Sequence, residues 1–391
     1  MVTVVSDSEA TLETPTLGLV GGAATVEFVN DDGVGVVSRS ILQIIDAPAT
    51  FGAHVRTFTS SSVSNVAVVD VNGDGRVDLV APQPSSTIVT VFESTPTLVF
   101  TTASTWVTSV AGEPGFPAVG DFNGDNRPDV VVTLRGRRQV AVLRNDRTRF
   151  DMTTVPITQI GVGAAVADVS GDGLADIVVG GLEVNGDLLV GQGDGSFTAA
   201  PLLFVNEVGE LATGRIGSDA RLAIFGIATD FSGLQVARAV GTPSRSVITI
   251  PIPRLAYGPS LMADLDGRGT LDLVANSAQG TLVARGRSDD AFEGPTFLST
   301  NMGSGKGFAV ADFNGDTVLD VVAVSFTTDV TVFLNQGDAQ FTQVGPLPMS
   351  AGASSVAVGD FDGDGKVDLV LPRGGNSDIY VYRNTTPTPM P

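Results

Sequence analysis

The sequence predicts an all-β fold, a seven-bladed β-propeller made of four-stranded antiparallel blades. Two observations indicate this architecture. A short acidic unit recurs along most of the chain at nearly regular intervals, and apolar, β-branched runs of strand length flank each copy. Glycine and proline, at 47 and 21 of 391 residues, also interrupt the chain too often for long helices.

The acidic unit is a nine-residue loop with aspartate at its first and ninth positions. Its copies begin at Asp70, Asp121, Asp168, Asp264, Asp312 and Asp360. Successive first aspartates are 51, 47, 96, 48 and 48 residues apart, so the interval of 96 spans two units. A degenerate copy without the acidic pattern fills that interval at residues 211–225. Seven units of this length match the period of a propeller blade.

Each unit contains an inner strand A, the acidic loop, strand B, strand C, a Gly/Asp turn and an outer strand D. Residues 330–334 and 335–341 illustrate strand C and the turn that follows it. One such sheet cannot bury both of its apolar faces, so the blades must stack and close a ring. The last unit ends after strand C at residues 379–382, and we expect residues 55–59 to supply its outer strand.

We therefore divide the chain into an N-terminal segment, residues 1–50, a propeller at residues 51–384 and a Thr/Pro tail at residues 385–391. The N-terminal segment contains a hairpin pattern around residues 30–33 and is expected to pack on or complete the propeller. An eighth blade or an extra N-terminal partial blade is the alternative. We prefer seven blades because only seven inner-strand units are present.

The acidic loop has the composition of a calcium site. Oxygen-bearing side chains fall at alternate positions, and glycine lets the backbone turn sharply between them. Ca²⁺ binds roughly six to eight oxygens, which side chains at positions one, three, five and nine, the carbonyl of position seven and water can supply. The predicted ligands are Asp70, Asn72, Asp74, Arg76, Asp78, Asp121, Asn123, Asp125, Arg127, Asp129, Asp168, Ser170, Asp172, Leu174, Asp176, Asp264, Asp266, Asp272, Asp312, Asn314, Asp316, Val318, Asp320, Asp360, Asp362, Asp364, Lys366 and Asp368.

The loops differ in quality. Ser170 weakens the third copy, and Arg268 replaces the fifth-position carboxylate of the copy at Asp264, where it could substitute for the ion or tether the loop. An EF-hand is the rival calcium motif, but it needs flanking helices and a glutamate at position twelve. Ordinary turns would explain one isolated loop, but not six in register. We expect roughly four to six Ca²⁺ ions with a structural role.

The inner strand and acidic loop resemble the FG-GAP/VCBS repeat of integrin α-subunit propellers and of many secreted bacterial proteins. The resemblance covers residues 55–384 and is specific at the loop, as in Asp360-Phe-Asp-Gly-Asp-Gly-Lys-Val-Asp368. A full Phe-Gly-Gly-Ala-Pro signature and an Arg-Gly-Asp tripeptide do not occur. The resemblance implies a calcium-stabilised, integrin-like propeller that is secreted or displayed on the cell surface, of bacterial origin, and used for adhesion or ligand display.

Composition excludes several classes of function. The net charge of −21 makes nucleic acid an unsuitable partner, and the absence of cysteine removes disulfides and thiolate chemistry. The chain contains no apolar run long enough to insert in a membrane. One histidine, His54, and few tyrosines and lysines leave a poor inventory for acid–base catalysis, so we expect no enzyme. A polysaccharide-degrading activity, or an accessory domain of such an enzyme, is the least favoured reading.

Two binding functions remain. A lectin would need aromatic sugar platforms, and the candidates are only Trp106, Tyr257, Tyr380 and Tyr382. An adhesion, protein-interaction or scaffold module would use the face opposite the calcium loops for a protein or glycan ligand. On that face we select Arg135, Arg137 and Arg138 as candidate partner contacts. We favour the interaction module, acting as a monomer or as part of a larger chain.

Overall fold

The computed structural model describes the backbone of six short strands within residues 1–48 and most of residues 49–387. Between residues 49 and 387 it leaves out 59–61, 64, 103–107, 111, 182–185, 202–207, 215–221, 229–232, 239–245, 253–254, 278, 290, 299–304, 326–328, 349–352 and 374–377. The degenerate loop that the sequence places near residue 215 and the platform candidate Trp106 therefore lie outside the described residues.

The chain divides into two compact units, Met1–Ala47 and Pro48–Pro391. The strands of the first unit pair only in twos among the described residues, as β1 with β2, β3 with β6 and β4 with β5. They are β1 (Val2–Ser6), β2 (Glu9–Leu12), β3 (Ala23–Thr25), β4 (Phe28–Val29), β5 (Gly35–Val36) and β6 (Ile41–Gln43). The pairing of β4 with β5 matches the predicted hairpin.

The second unit is a seven-bladed propeller of antiparallel sheets, as predicted. Strands A are β8 (Ala67–Val69), β13 (Glu113–Gly120), β17 (Gly161–Ala167), β21 (Val208–Gly214), β25 (Leu255–Ala263), β29 (Gly305–Ala311) and β33 (Ala357–Gly359). Strands B are β9 (Asp78–Gln83), β14 (Asp129–Arg135), β18 (Asp176–Gly181), β22 (Ala223–Ala228), β26 (Asp272–Ser277), β30 (Asp320–Ser325) and β34 (Asp368–Arg373). A 3-10 turn, Pro84–Ser86, links strands B and C of blade 1.

The outer half of each blade follows the same order. Strands C are β10 (Ile88–Glu93), β15 (Gln139–Asn145), β19 (Asp187–Gly191), β23 (Leu234–Arg238), β27 (Gly280–Ala284), β31 (Asp329–Asn335) and β35 (Asp378–Tyr382). Strands D are the pair β11 (Thr101–Thr102) and β12 (Thr108–Ser109), then β16 (Phe150–Pro156), β20 (Phe197–Pro201), β24 (Ser246–Ile250), β28 (Thr296–Phe297), β32 (Phe341–Pro348) and, for blade 7, β7 (Val55–Phe58).

Both ends of the propeller unit share blade 7. Strand β7 pairs antiparallel with β35, with Val55 opposite Val381 and Thr57 opposite Ile379. The ring therefore closes as the sequence predicts, because the outer strand comes from residues that precede the first blade. Neighbouring strands A contact one another around the ring, and β33 of blade 7 contacts β8 of blade 1.

Apolar residues bury themselves between blades rather than within one central core. Seven buried clusters occur among the described residues, and each joins two consecutive blades, including blades 7 and 1. The second residue of each acidic loop belongs to one of them, for example Phe122 between blades 2 and 3 and Phe361 between blades 7 and 1. Burial of these side chains fixes each acidic loop at the rim of a blade junction.

The described residues form no helix that is long and apolar enough to cross a membrane.

Candidate metal centres in the acidic loops

The acidic loops connect strands A and B, and they lie on the same face of the ring as the turns between strands C and D. A hydrogen bond from the Gly195 amide in the C–D turn of blade 3 to the Phe122 carbonyl in the loop of blade 2 shows this, at 2.9 Å. The loops that connect B with C and D with A lie on the opposite face, as antiparallel connectivity requires.

The first aspartate of each loop organises its backbone. The Asp70 Oδ1 atom accepts hydrogen bonds from the amides of Gly73 (2.7 Å) and Asp74 (3.2 Å), and its Oδ2 atom accepts one from Gly75 (2.8 Å). The loops at Asp121, Asp168, Asp312 and Asp360 repeat this pattern of three amides. Positive φ angles at Gly73 and Gly75 make this tight winding possible.

Positions three and five continue the winding. The Oδ1 atom of Asn123 accepts the Asp125 amide (3.1 Å), and the Oδ1 atom of Asp125 accepts the Arg127 amide (2.9 Å). Side-chain oxygens at positions three and five thus accept main-chain amides of their own loop. The side chain at position seven varies from arginine to leucine, valine and lysine, which is consistent with a role for its carbonyl only.

The ninth aspartate is buried and bridges two parts of its blade. In blade 6, Asp320 Oδ2 accepts the Phe313 amide (2.9 Å), and Oδ1 accepts the Asn335 amide at the end of strand C (2.8 Å). The pKa of Asp320 and of Asp368 is raised to about 7, mainly by burial and also by the neighbouring loop carboxylates, while the hydrogen bonds from backbone amides act to lower it. Burial likewise raises the pKa of Asp78 to about 6 and raises that of Asp129 and Asp272.

The loop oxygens converge closely enough for a cation. In blades 5 and 7, carboxylate oxygens of positions one, three and nine lie within 4.8 Å of one another. These sets are Asp264, Asp266 and Asp272, and Asp360, Asp362 and Asp368. Hard oxygen donors around a buried carboxylate match the preferences of Ca²⁺, so the residues present fit such an ion. The buried hydroxyl of Ser170, which has no hydrogen-bond partner, is a further oxygen at position three of blade 3.

Two loops carry an arginine against their third-position carboxylate. The Arg268 Nε atom lies 3.4 Å from Asp266 Oδ2, and its Nη2 atom lies 3.0 Å from Asp338 in the C–D turn of blade 6. In blade 7, the Arg383 guanidinium contacts Asp362, whose side chain is fully buried. The sequence indicates the possibility of an arginine tether at Arg268. The contact of Arg383 was not predicted, because this residue follows strand C and is brought next to the acidic loop of blade 7 only when the chain folds.

An asparagine at the end of strand C, which the sequence did not point to, ties neighbouring loops together. The Asn335 amide group donates to the Leu265 carbonyl in the loop of blade 5 (2.6 Å) and to the Leu319 carbonyl in its own loop (3.0 Å). Asn145 and Asn384 repeat these bonds at the junctions of blades 1 with 2 and 6 with 7. The available signal was an asparagine 15 or 16 residues after the ninth aspartate in three units.

We predict that Asn335→Ala destabilises the propeller by about 2–4 kcal/mol, because the buried Leu265 carbonyl and the partly buried Leu319 carbonyl lose this donor. Denaturant unfolding monitored by circular dichroism measures the change. Ser94→Ala is the matched control, since Ser94 occupies the same position in blade 1 and its buried hydroxyl has no partner. The control should change stability by less than about 1 kcal/mol. Equal losses in the two variants would show that the cross-blade bonds contribute nothing.

The raised pKa values predict how stability depends on pH when divalent ions are removed. Asp320 and Asp368 have a pKa of about 7 in the folded chain and an ordinary value of 3.8. Their folded carboxyl groups therefore retain protons that the unfolded chain releases, and stability falls as pH rises from about 4 through 7. We expect metal-depleted protein to lose at least about 2 kcal/mol between pH 5 and pH 8 in denaturant titrations. Excess Ca²⁺ should reduce or reverse that loss, and a metal-depleted protein that is more stable at pH 8 would contradict the assignment.

The three predicted partner-contact arginines do not share one environment. The Arg138 guanidinium donates to the Thr158 carbonyl and so ties the B–C turn of blade 2 to its D–A loop. Arg135 and Arg137 instead line an open groove beside blade 1. His54 lies just before β7, with its ring centroid 4.7 Å from that of Tyr380.

A ring of repeated blades, six of which carry an acidic loop between strands A and B, defines the class of an acidic-loop repeat propeller. The FG-GAP-like repeat model matches residues 70–132, 121–179, 264–323 and 314–371, which together cover more than half of the chain. The chain belongs to the FG-GAP-like repeat family, as its loops predict. No curated protein matches the sequence significantly.

Solved structures share the fold at low sequence identity. A BBS1N chain, solved in complex with ARL6DN, has a TM-score of 0.62 at 13% identity, with 88% of this chain and 100% of that chain covered. A lectin from Agrocybe aegerita that recognises non-reducing terminal N-acetylglucosamine has a TM-score of 0.56 at 20% identity, with coverage of 84% and 87%. The WD40 propeller domain of Doa1 has a TM-score of 0.53 at 11% identity, with coverage of 86% and 97%.

Proposed function

We propose that this protein is a calcium-stabilised propeller that serves as a protein-interaction module, with Ca²⁺ structural in the A–B loops and no catalytic step. The observation that supports calcium most directly is the convergence of three carboxylates in the loops of blades 5 and 7. The ion would neutralise charges that the fold forces together, and so would offset the unfavourable burial that raises the pKa of Asp368.

Titration of calcium into matched variants tests the loop assignment. Asp70→Asn combined with Asp74→Asn removes two carboxylates from the loop of blade 1, and we expect the number of bound ions to fall by one. Asp194→Asn combined with Asp289→Asn is the control, because both residues lie in C–D turns outside the acidic loops. Calorimetry reads the stoichiometry. An unchanged stoichiometry in the loop variant would show that the loop of blade 1 does not bind calcium.

Two observations support an interaction role. The acidic loops occupy one face, so the B–C and D–A loops of the opposite face are available for a ligand. The fold is also that of BBS1N, which was solved in complex with a protein partner. We propose an extracellular or cell-surface location in a bacterium, where millimolar Ca²⁺ would fill even weak sites, since extracellular modules commonly bind in that range.

A lectin is the second candidate, supported by the similar fold of the Agrocybe aegerita lectin. Tyr380 and Tyr382 are 3% and 2% exposed, so neither offers a free ring face to a sugar. The side chain of Tyr257 and the whole of Trp106 lie outside the described residues. Binding to a glycan array in the presence of Ca²⁺ would favour the lectin, whereas saturable binding to a protein ligand alone would favour the interaction module.

A further inference from the structure

We propose that the groove between blades 1 and 2, on the face opposite the acidic loops, binds an acidic, extended peptide segment of a partner protein through Arg135 and Arg137. The inference rests on the proposed interaction function and names the chemistry of the partner. The groove is lined by Thr87, Val110, Gly112, Glu113, Arg135, Gly136 and Arg137 and has a volume of about 550 Å³.

The two arginines are exposed and lack ion pairs among the described residues. Most other described arginines contact a carboxylate, as Arg127 does with Asp125 and Arg285 with Glu293 at 2.8 Å. No carboxylate of the described residues lies within ion-pair distance of Arg135 or Arg137. Two exposed guanidinium groups that line one groove without an ion pair are unusual in a chain with a net charge of −21. They form a local anion site with donors suited to carboxylates.

The turn that carries these arginines is held rigidly. The Arg137 amide donates to the Leu134 carbonyl (3.1 Å), and the Ile157 amide donates to the Arg138 carbonyl (2.9 Å). The Arg137 side chain packs over Gly112: a Cβ atom added at Gly112 would lie 2.8 Å from the Arg137 Cγ atom. Because the main chain of the turn is already fixed, binding requires no ordering of the backbone that carries both arginines, which favours recognition.

Arg135 borders apolar surface as well as the groove. Arg135 also lines a second, smaller pocket of about 60 Å³, together with Pro82, Pro84, Pro114 and Phe116. Proline rings and a phenylalanine beside a cation suit an extended peptide that alternates carboxylates with apolar side chains. The Arg135 guanidinium covers the Phe116 ring at 5.9 Å from its centroid, so that ring is not free to stack on a sugar. These contacts favour a peptide over an anionic glycan.

Glu113 places a negative charge in the same groove. Its side chain lines the same groove and is exposed, and it lies opposite Arg135 in the pairing of β13 with β14. A carboxylate there repels an acidic ligand across the groove. Glu113→Gln should therefore strengthen binding of an acidic peptide, whereas loss of the arginines should weaken it.

Fluorescence anisotropy with labelled decapeptides tests the proposal in the full chain with Ca²⁺ present. The probe alternates Glu or Asp with Pro, Val and Leu, and a matched peptide replaces each acid by its amide. We expect saturable binding of the acidic peptide, weaker at high salt, and at least tenfold weaker binding to Arg135→Gln/Arg137→Gln. Arg149→Gln is the control, because this exposed arginine lies in the same blade near the acidic face and pairs with Asp146. The control variant should bind the acidic peptide with an affinity within twofold of that of the unaltered protein.

Three outcomes would overturn the proposal. They are equal binding of acid and amide peptides, unchanged binding to the double arginine variant, and binding of oligogalacturonate without binding of the peptide. The last result would assign the groove to an anionic glycan. None of them bears on the acidic loops, because calcium stoichiometry is measured separately, so failure of the groove and failure of the calcium assignment are distinguishable.

Discussion

Deletion of residues 2–47 is expected to leave the propeller folded, whereas deletion of residues 2–58 is expected to abolish its cooperative unfolding. The first deletion ends at the border between the two compact units. The second also removes β7, which closes blade 7 through four paired residues and the Arg56–Asp378 ion pair at 2.7 Å. The edge of β35, with buried Tyr380 and Tyr382, would become exposed.

The expected loss is about 5 kcal/mol or more, which is a large fraction of the stability of a typical domain. Residues before β7 contribute as well, because the Gly52 amide donates to the Arg383 carbonyl (2.9 Å) and Ala49 is buried in the cluster between blades 6 and 7. Thermal unfolding followed by circular dichroism compares the two truncated chains with the full chain. Equal melting of both truncations would show that the ring does not depend on closure by β7.

Asp320→Ala is expected to destabilise the protein by about 3–5 kcal/mol, even when calcium is chelated. The substitution leaves the buried Phe313 and Asn335 amides without acceptors and opens a void beneath the acidic loop of blade 6. The loss in chelator is informative, because these hydrogen bonds require no ion.

Asp338→Asn is the control for Asp320→Ala. Asp338 lies in the C–D turn of the same blade, is 69% exposed and pairs with Arg268 on the surface. Such pairs contribute little, so the control should change stability by less than about 1 kcal/mol. Urea unfolding measures the free energy of unfolding of both variants. If Asp320→Ala lowered it no more than Asp338→Asn does, the ninth position would have no structural role apart from ion binding.

The sequence predicts the architecture well because the repeat carries it. The spacing of the acidic loops counts the blades, and the missing outer strand of the last unit points to residues 55–59, where the structure places β7. Alternation within the loop also predicts that the side chains of positions one, three and five turn inward. These features depend on residues that are close in sequence.

Contacts between blades are harder to predict from the sequence. Asn384 bonds to the Phe313 carbonyl, 71 residues away along the chain, and Arg383 reaches Asp362 across blade 7. No local pattern fixes such partners until the ring has closed. The groove shows the same limit: the clustering of arginines is visible in the sequence, but the bond from Arg138 to Thr158 that separates it from Arg135 and Arg137 is not.

Thermal unfolding of metal-depleted protein with and without millimolar Ca²⁺, paired with elemental analysis of the reloaded protein, tests the central claim most directly. We expect roughly four to six Ca²⁺ ions per chain and a rise in melting temperature of about 10 °C or more, because each site filled to a hundred times its Kd adds about 2.7 kcal/mol. Absence of bound calcium together with an unchanged melting temperature would contradict the claim and would leave the acidic loops as hydrogen-bonded turns.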